Sequence, residues 1–305
     1  MKCFIVSNCT HSPIKEYLSA TGLFSKLDSC AIFTIKPEDL EAKYAEIRAG
    51  YDLVFSAVLY GDKWGPFEHA ALKADLGDRA ILFDAPFFEG LHPDLIHVSQ
   101  NDERFKSPIG DYHSGLIFWG YMTGRKISDL VDMHEAGEMP AFFDAKTIWD
   151  RAVQVLTERE ALADVRIAAE IADLCRQKPA MLTFNHPTMD VVAALCDGFT
   201  KLTFGPRNLP VMMTGNIHNV LLTDVIIPVS PAAIKAQGLP YQTTALYKFG
   251  LAAPNHEKGY LAFDRFARMS YARYGCVDRA TLRATTPGRS TAALMKAIET
   301  PQEAA

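Results

Sequence analysis

A chain of 305 residues with a net charge of −5 has no general attraction for nucleic acid or an acidic membrane surface, so any anionic ligand must be held by a local cluster of Lys and Arg. With 49% hydrophobic and 22% charged residues it reads as an ordinary globular protein with ample core. No stretch approaches the roughly 20 apolar residues of a membrane span.

The first strand pattern, Cys3-Phe4-Ile5-Val6, gives way at once to Ser7-Asn8, too short an apolar run for a signal peptide, and the expected compartment is the cytoplasm. Cys9 follows, just ahead of a helix that Ser12 is expected to cap and Pro13 to open, with Ile14, Tyr17, Leu18 and Thr21 on one face and a stop near Gly22. A cysteine at the carboxyl end of a first strand stands where open α/β sheets put their ligands. The positive helix end favours an anion there, a phosphate or the thiolate itself.

A second strand is predicted from Cys30 to Ile35, a helix from Pro37 through Arg48, and a third strand from Asp52 to Val58. A short helix around Phe67 to Leu76 leads to a fourth strand, Arg79 to Phe83. The alternation predicts an α/β fold with a Rossmann-like or flavodoxin-like parallel sheet in the N-terminal part. No GxGxxG or P-loop follows the first strand, which disfavours a nicotinamide or NTP bound in the standard way. From about Asp111 the pattern turns largely helical: Tyr112 to Thr123, Ile127 to His134, and a long helix or helix pair from Ala145 to Gln177. A strand, Ala180 to Phe184, then runs into Asn185-His186-Pro187 and a helix from Thr188 to Phe199. Val220 to Val229 fits strand or buried helix, and the end from Thr286 is poor in apolar periodicity. The expected organisation is an α/β part over 1–110, a helical and mixed part over 111–285 packed on it, and a partly mobile tail over 286–305.

Six cysteines (Cys3, Cys9, Cys30, Cys175, Cys196, Cys276) show no CxxC or zinc spacing and are expected as thiols. Cys3, Cys30, Cys175 and Cys196 sit in apolar patterns and read as small buried hydrophobes. Four clusters place a histidine at a loop-to-element junction: Asn8 to His11, Gly90 to Asp94, Gly110 to Ser114 and Asn185 to Pro187. A histidine there can take a proton from an attacking hydroxyl or thiol, and Cys9 is a nucleophile once its thiolate is favoured. Taken singly, each histidine reads more readily as one satisfied by local hydrogen bonds. No HExxH and no GxSxG is present, so metal and serine chemistry are not expected. Lys63, Arg207 and Lys248 are basic residues able to hold phosphates, the first two beside glycines; as isolated positions they read as solvated turn charges.

Together these pieces resemble the WcbI-type polysaccharide biosynthesis acetyltransferase family. The resemblance rests on Ser7-Asn8-Cys9, on Phe87 to Asp94, on Pro108 to Ser114 and on Phe184 to Thr188, in that order along most of the chain. Where the family pattern usually has glutamine after the cysteine, this chain has Thr10-His11. The resemblance implies a coenzyme A thioester as acyl donor and a sugar hydroxyl of a capsular or surface polysaccharide as acceptor, with no nucleic-acid partner, and it leaves room for a homo-oligomer. The residues compatible with that chemistry are Cys9, His186, His92 and His113 as nucleophile or base, and Asn8, Asn185 and Asp111 as oxyanion donors or orienting groups. Thr10, His11, Lys63, Arg207 and Lys248 are compatible with holding the coenzyme. Two mechanisms stay open at this level, an acyl-enzyme on Cys9 or direct attack by a sugar that a histidine deprotonates. An SGNH-like thiol/ester hydrolase that uses Cys9 as such esterases use serine, and a non-catalytic coenzyme A or nucleotide-binding module, are the alternatives.

Overall fold

The computed structural model describes residues 1–206, 217–242, 246–250, 259–285 and 292–299. Its contacts divide the chain into two units, each gathered from three separate segments. One comprises Met1–Phe87, Val153–Cys175 and Asn185–Leu221; the other comprises Phe88–Ala152, Arg176–Phe184 and Leu222–Ala305.

The first unit is built on a parallel sheet. Strands β1 (Lys2–Ser7), β2 (Lys26–Ala31), β3 (Leu53–Ala57) and β4 (Ala80–Phe83) lie in the order β2-β1-β3-β4, with helices α1 (His11–Ala20), α2 (Leu40–Gly50) and α3 (His69–Leu76) as the crossovers. The predicted α/β fold with a helix-rich remainder is the fold observed. β1 and β3 are buried on both faces, as a parallel sheet under helices requires. Ile5 pairs with Phe55, and side chains at one level share a face, so Phe55 meets helix Met189–Phe204 by stacking on Phe199, ring centroids 4.0 Å apart. Phe83 closes the stack at 4.4 Å from Phe55. Phe4 points to the opposite face, where Lys43 of α2 lies 5.3 Å over its ring.

Two local expectations are corrected. Ser12 does not cap α1: the helix begins at His11, two residues before Pro13, and Thr10 precedes it without a side-chain cap. The cap is displaced because Asn8 holds this turn, its Oδ1 accepting from Thr10 N at 3.0 Å and from Thr10 Oγ1 at 2.9 Å, and its carbonyl accepting from His11 N at 3.1 Å. The second strand runs over Lys26–Ala31 and not over Cys30 to Ile35. The apolar run Ile32–Thr34 instead forms a tight turn that Thr34 closes by donating to Ala31 O at 2.7 Å. Polar Lys26, Asp28 and Ser29 are tolerated because β2 is an edge strand, and Tyr51 Oη donates to Asp28 at 2.5 Å.

The second unit is mixed. Strand β5 (Leu95–Gln100) pairs antiparallel with β6 (Glu103–Phe105), with β7 (His113–Ser114) and with strand Leu282–Thr285. Helix α4 (Gly115–Thr123) follows β7 and is buried nearly all round, so its faces show no amphipathic stripe. Helix α5 is Ile127–Glu135. The stretch from Ala145 to Gln177 resolves into two helices, Ala145–Arg159 and Ala168–Gln177. Val220 to Val229 is neither full strand nor full helix: Val220–Thr223 is a single tight turn and Ile226 bridges Lys248. A helix, Ala292–Glu299, lies within the C-terminal stretch that lacked periodicity; it is short and buries Leu294.

The Phe83–Phe55–Phe199 stack carries a direct expectation. Phe55 is fully buried, so Phe55→Ala leaves a cavity and lowers the unfolding free energy by about 3–5 kcal/mol, read as a fall in the denaturant midpoint.

Candidate functional site

The order β2-β1-β3-β4 reverses direction at β1: α1 carries the chain to one neighbour and α2 returns it past β1 to the other. At such a switch point the loops leaving the carboxyl ends of the two central strands diverge, and a ligand crevice opens between them. The residues on this edge follow from the register. Val6 pairs with Ser56, and Ser56 with Leu82, so Asn8, Val58 and Asp84 are the first residues to leave β1, β3 and β4 at the same edge of the sheet. Cys9 is one residue beyond, partly exposed, with α1 starting two residues later.

The turn at Cys9 is held from beneath. Ser7 and Thr10 are fully buried and share a hydroxyl–hydroxyl bond of 2.8 Å. Thr10 is thereby a strut of the turn and not a coenzyme contact, since its hydroxyl is engaged by Ser7 and Asn8 and has no exposed surface. Asn8 spends its oxygen on the same turn, so the group it can offer a ligand is its Nδ2 amide. The helix start is poorer in donors than the sequence suggests. Thr10 N and His11 N go to Asn8, and Pro13 has none, which leaves Ser12 N–H in the first turn. His11 is half-buried with Nδ1 2.9 Å from Ser29 Oγ, and burial first, then the charge of Lys15, lowers its pKa.

The other predicted residues divide. In the same unit, Asn185 is part-exposed and His186 buried, and burial pushes the His186 ring down to about 4. Lys63 is exposed in the loop after β3, its Nζ 4.8 Å from the Trp64 ring centroid. In the second unit, His113 is fully buried, Nε2–H donating to Phe105 O at 2.8 Å and Nδ1 accepting from Tyr274 Oη at 2.7 Å. Both ring nitrogens are spoken for, so His113 is corrected from a candidate base to a core histidine; burial pushes its pKa down to about 3. His92 donates from Nε2 to Ile227 O at 3.1 Å, is pushed down to about 4 by burial, and its Nδ1 faces no partner. It lines a cavity of about 10 Å³ with Asp94, Ser114, His134, Ser230 and Tyr247, room for one water at most and too little for an acceptor or thioester. His92 is likewise corrected to a packing residue. Asp111 accepts through its backbone carbonyl from His97 Nδ1 at 2.9 Å, and Lys248 Nζ donates to Leu222 O. Arg207 lies outside the described residues. Among those residues no group of three or more His, Cys, Asp or Glu side chains is placed to hold a metal ion, and no helix is long and apolar enough to cross a membrane.

Two pairs on the β3–β4 side of the sheet edge escaped the sequence reading. Asp84, one residue past β4, is buried and pairs with Arg159 through Oδ1 at 2.8 Å, while its Oδ2 has no hydrogen-bond partner. Burial pushes this carboxyl up to about 6 against the pull of the guanidinium, which also lies over the Phe87 ring at 5.5 Å. The second pair is Glu68–His69, with His69 Nδ1 2.5 Å from Glu68 Oε1. The position of Asp84 directly after a strand was the available signal for the first pair. Arg159 stands 75 residues away (159 − 84) and gave none, and Glu68-His69 reads only as a helix start.

The buried neutral histidines predict acid sensitivity. His92, His113 and His186 have folded pKa values below that of an unfolded histidine, so the unfolded chain binds the extra protons and stability falls as pH drops from about 6.5 toward about 4, by up to roughly 1.4 kcal/mol per pH unit per group. Urea midpoints between pH 7 and pH 4.5 read this slope. His113→Gln, with one donor and one acceptor, flattens it by one group's share.

Compared with known proteins, residues 2–202 match the family described as "Polysaccharide biosynthesis enzyme WcbI". A search of curated protein sequences finds no match. Among solved structures, one of WcbI, described as a novel polysaccharide biosynthesis enzyme in its native form without a disulfide bond between coenzyme A and one of its cysteines, superposes with a TM-score of 0.68. The match has 16% identity and covers 92% of this chain and 91% of that one, which establishes a shared fold. With two thirds of its length matched, this chain belongs to the WcbI family of polysaccharide biosynthesis enzymes.

Proposed function

We propose that this protein transfers an acetyl group from a coenzyme A thioester to a carbohydrate hydroxyl, with Cys9 as the nucleophile. The observation that carries the reading is the place of Cys9: a part-exposed thiol at the carboxyl end of β1, at the switch point of a parallel sheet and at the positive end of a ten-residue helix. Membership in a polysaccharide biosynthesis family supplies the acceptor class, and the coenzyme A and cysteine named for the solved relative fit a thiol that meets a thioester.

The chemistry follows from the groups at that edge. Cys9 Sγ attacks the thioester carbonyl, its bond to carbon forms, and the carbon–sulfur bond to coenzyme A breaks. One thioester replaces another, so the step is close to balanced in free energy. The sugar hydroxyl then attacks the acetyl carbon and releases Cys9. Asn8 Nδ2 and Ser12 N–H are the donors near enough in sequence to hold the developing oxyanion, and Asn185 is a further amide of the same unit. Lys15, Lys63 and His11 supply positive charge or donors for the coenzyme phosphates. A protein using a coenzyme A thioester in this way works in the cytoplasm, where such thioesters are made.

Intact mass after incubation with acetyl-CoA is expected to show one added acetyl group on the wild-type chain and none on Cys9→Ser. Cys9→Ala is expected to lose turnover by on the order of 10³-fold, with coenzyme A affinity by calorimetry within about threefold of wild type. Absence of any calorimetric signal with coenzyme A sinks the reading.

A further inference from the structure

The transfer needs a base that none of the buried histidines supplies, and one histidine on the sheet edge is built for it. His69 enters α3 with its backbone N–H donating to Leu59 O at 3.1 Å. Its ring Nδ1 lies 2.9 Å from the same Leu59 carbonyl and 2.5 Å from Glu68 Oε1. Both of those neighbours are acceptors, so Nδ1 carries the hydrogen and Nε2 carries the lone pair. Nε2 has no hydrogen-bond partner among the described residues, and the side chain keeps 20% of its surface exposed. The carboxylate is itself fixed, since Glu68 Oε2 accepts from Ala70 N at 2.9 Å and Ala71 N at 3.1 Å at the start of α3. A histidine with one nitrogen hydrogen-bonded to a carbonyl beside a carboxylate, and the other open, is the arrangement of an oriented general base.

Its place matches the site. Val6 and Ser56 are paired across β1 and β3, and three residues beyond each come Cys9 and Leu59. The segments that carry Cys9 and the carbonyl anchoring His69 therefore leave the same, carboxyl, edge of the sheet from adjacent strands. The Tyr60 ring lies 5.3 Å from the His69 ring and is half exposed. An exposed aromatic face beside a base suits the apolar face of a pyranose ring. The charged groups around it are Glu68 from the start of α3, with Asp84 past β4 and Arg159 from the helix Ala145–Arg159 acting on Tyr60.

We propose that His69 is the general base of acyl transfer, that Glu68 positions it, and that Tyr60 is the platform for the sugar acceptor. This inference rests on the acetyl-transfer reading above. In the first half-reaction His69 Nε2 takes the Cys9 proton and gives it to the departing coenzyme A thiolate. In the second, the acceptor oxygen attacks the acetyl carbon and its proton passes to Nε2. The new carbon–oxygen bond forms, the carbon–Sγ bond of Cys9 breaks, and the imidazolium returns the proton to the Cys9 thiolate. No further reagent enters.

The test is the pH profile of thiol release from acetyl-CoA in the presence of methyl glycosides of glucose, galactose and mannose, with coenzyme A affinity measured in parallel. Wild type is expected to show a single acid limb in kcat/KM. His69→Gln is expected to lose that limb and about 10²–10⁴-fold in kcat while keeping its coenzyme A affinity. A structural role would instead lower thermal stability and coenzyme A affinity together and leave the shape of the profile unchanged. Glu68→Gln keeps the capping oxygen and is expected to lose on the order of 10²-fold in kcat, because an amide no longer stabilises the imidazolium. It decides the matter if His69→Gln does not fold. An active wild type whose limb survives in His69→Gln, or whose rate is unchanged in Glu68→Gln, overturns the base assignment and leaves acetyl transfer standing. A wild type that neither takes up acetyl nor releases thiol overturns both.

Discussion

Everything at the candidate site depends on β1 lying between β2 and β3 with all three strands parallel. Parallel pairing forces each connection to leave from a carboxyl end and return over a face of the sheet. Because β2 and β3 flank β1, successive crossovers take opposite faces, and the loops after β1 and β3 part. The polar residues that follow these strands then have a common edge without being close in sequence. Asn8 and Cys9 follow β1, the Leu59–Tyr60 segment that anchors His69 follows β3, and Asp84 follows β4. The aromatic stack of Phe83, Phe55 and Phe199 fixes the central strands from the other direction, so the edge is set by core packing and not by the loops themselves.

The histidines of this chain differ in burial and in the partners of their ring nitrogens. His113 has two good partners and no access to solvent, a combination that holds it neutral and spends both nitrogens. His92 has one partner and is equally enclosed, so a proton on it would be a charge without water. His69 differs in both respects: one nitrogen is tied to a carboxylate and a carbonyl, and part of the ring is exposed. A carboxylate neighbour stabilises the imidazolium that a base must become, whereas a backbone carbonyl alone does little against full desolvation. Asp84 shows the converse case for an acid. Arg159 favours its ionised form, yet burial wins and raises the carboxyl to about 6, which keeps its proton affinity near neutrality.

The strand and helix sequence of the first 83 residues is legible because β1, β3 and β4 are buried on both faces and therefore nearly continuous in apolar residues. The edge strand is the exception. β2 carries Lys26, Asp28 and Ser29, so its pattern is weaker than that of Ile32-Phe33, which the structure uses for a turn. Cys9 is legible as a site because a polar residue after a buried strand has few structural reasons to be there. His69 is not legible in the same way. Its partner Glu68 is a helix-capping residue, and its anchor at Leu59 lies across a loop of tight turns, so no local spacing announces the dyad. The Asn8 turn is hidden for a related reason: Ser12-Pro13 looks like a better helix start than Asn8-Cys9-Thr10, and the bonds of Asn8 to Thr10 and His11, with the buried Ser7–Thr10 bond, decide between them.

The residues that carry the family resemblance have different parts in the fold. Phe87 to Asp94 and Pro108 to Ser114 both carry a histidine and a carboxylate, which invites a catalytic reading. In the second unit Asp94 instead ties the two segments together: its Oδ2 accepts from Ser114 Oγ at 2.6 Å and from Leu116 N at 3.3 Å, and its carbonyl accepts from Gly115 N at 2.6 Å. Gly115 is required by this approach, since a Cβ there would stand 2.1 Å from the Phe143 ring and 2.9 Å from the Asp94 carbonyl. Gly90 is pressed in the same way between Phe88 and Trp149. A sequence pattern of glycine, histidine and aspartate at loop junctions therefore marks close backbone packing here as readily as a reactive centre. What distinguishes Ser7-Asn8-Cys9 is topological. It stands at a strand end where the sheet reverses, and that position leaves its cysteine partly in solvent while the side chains around it are spent on holding the turn.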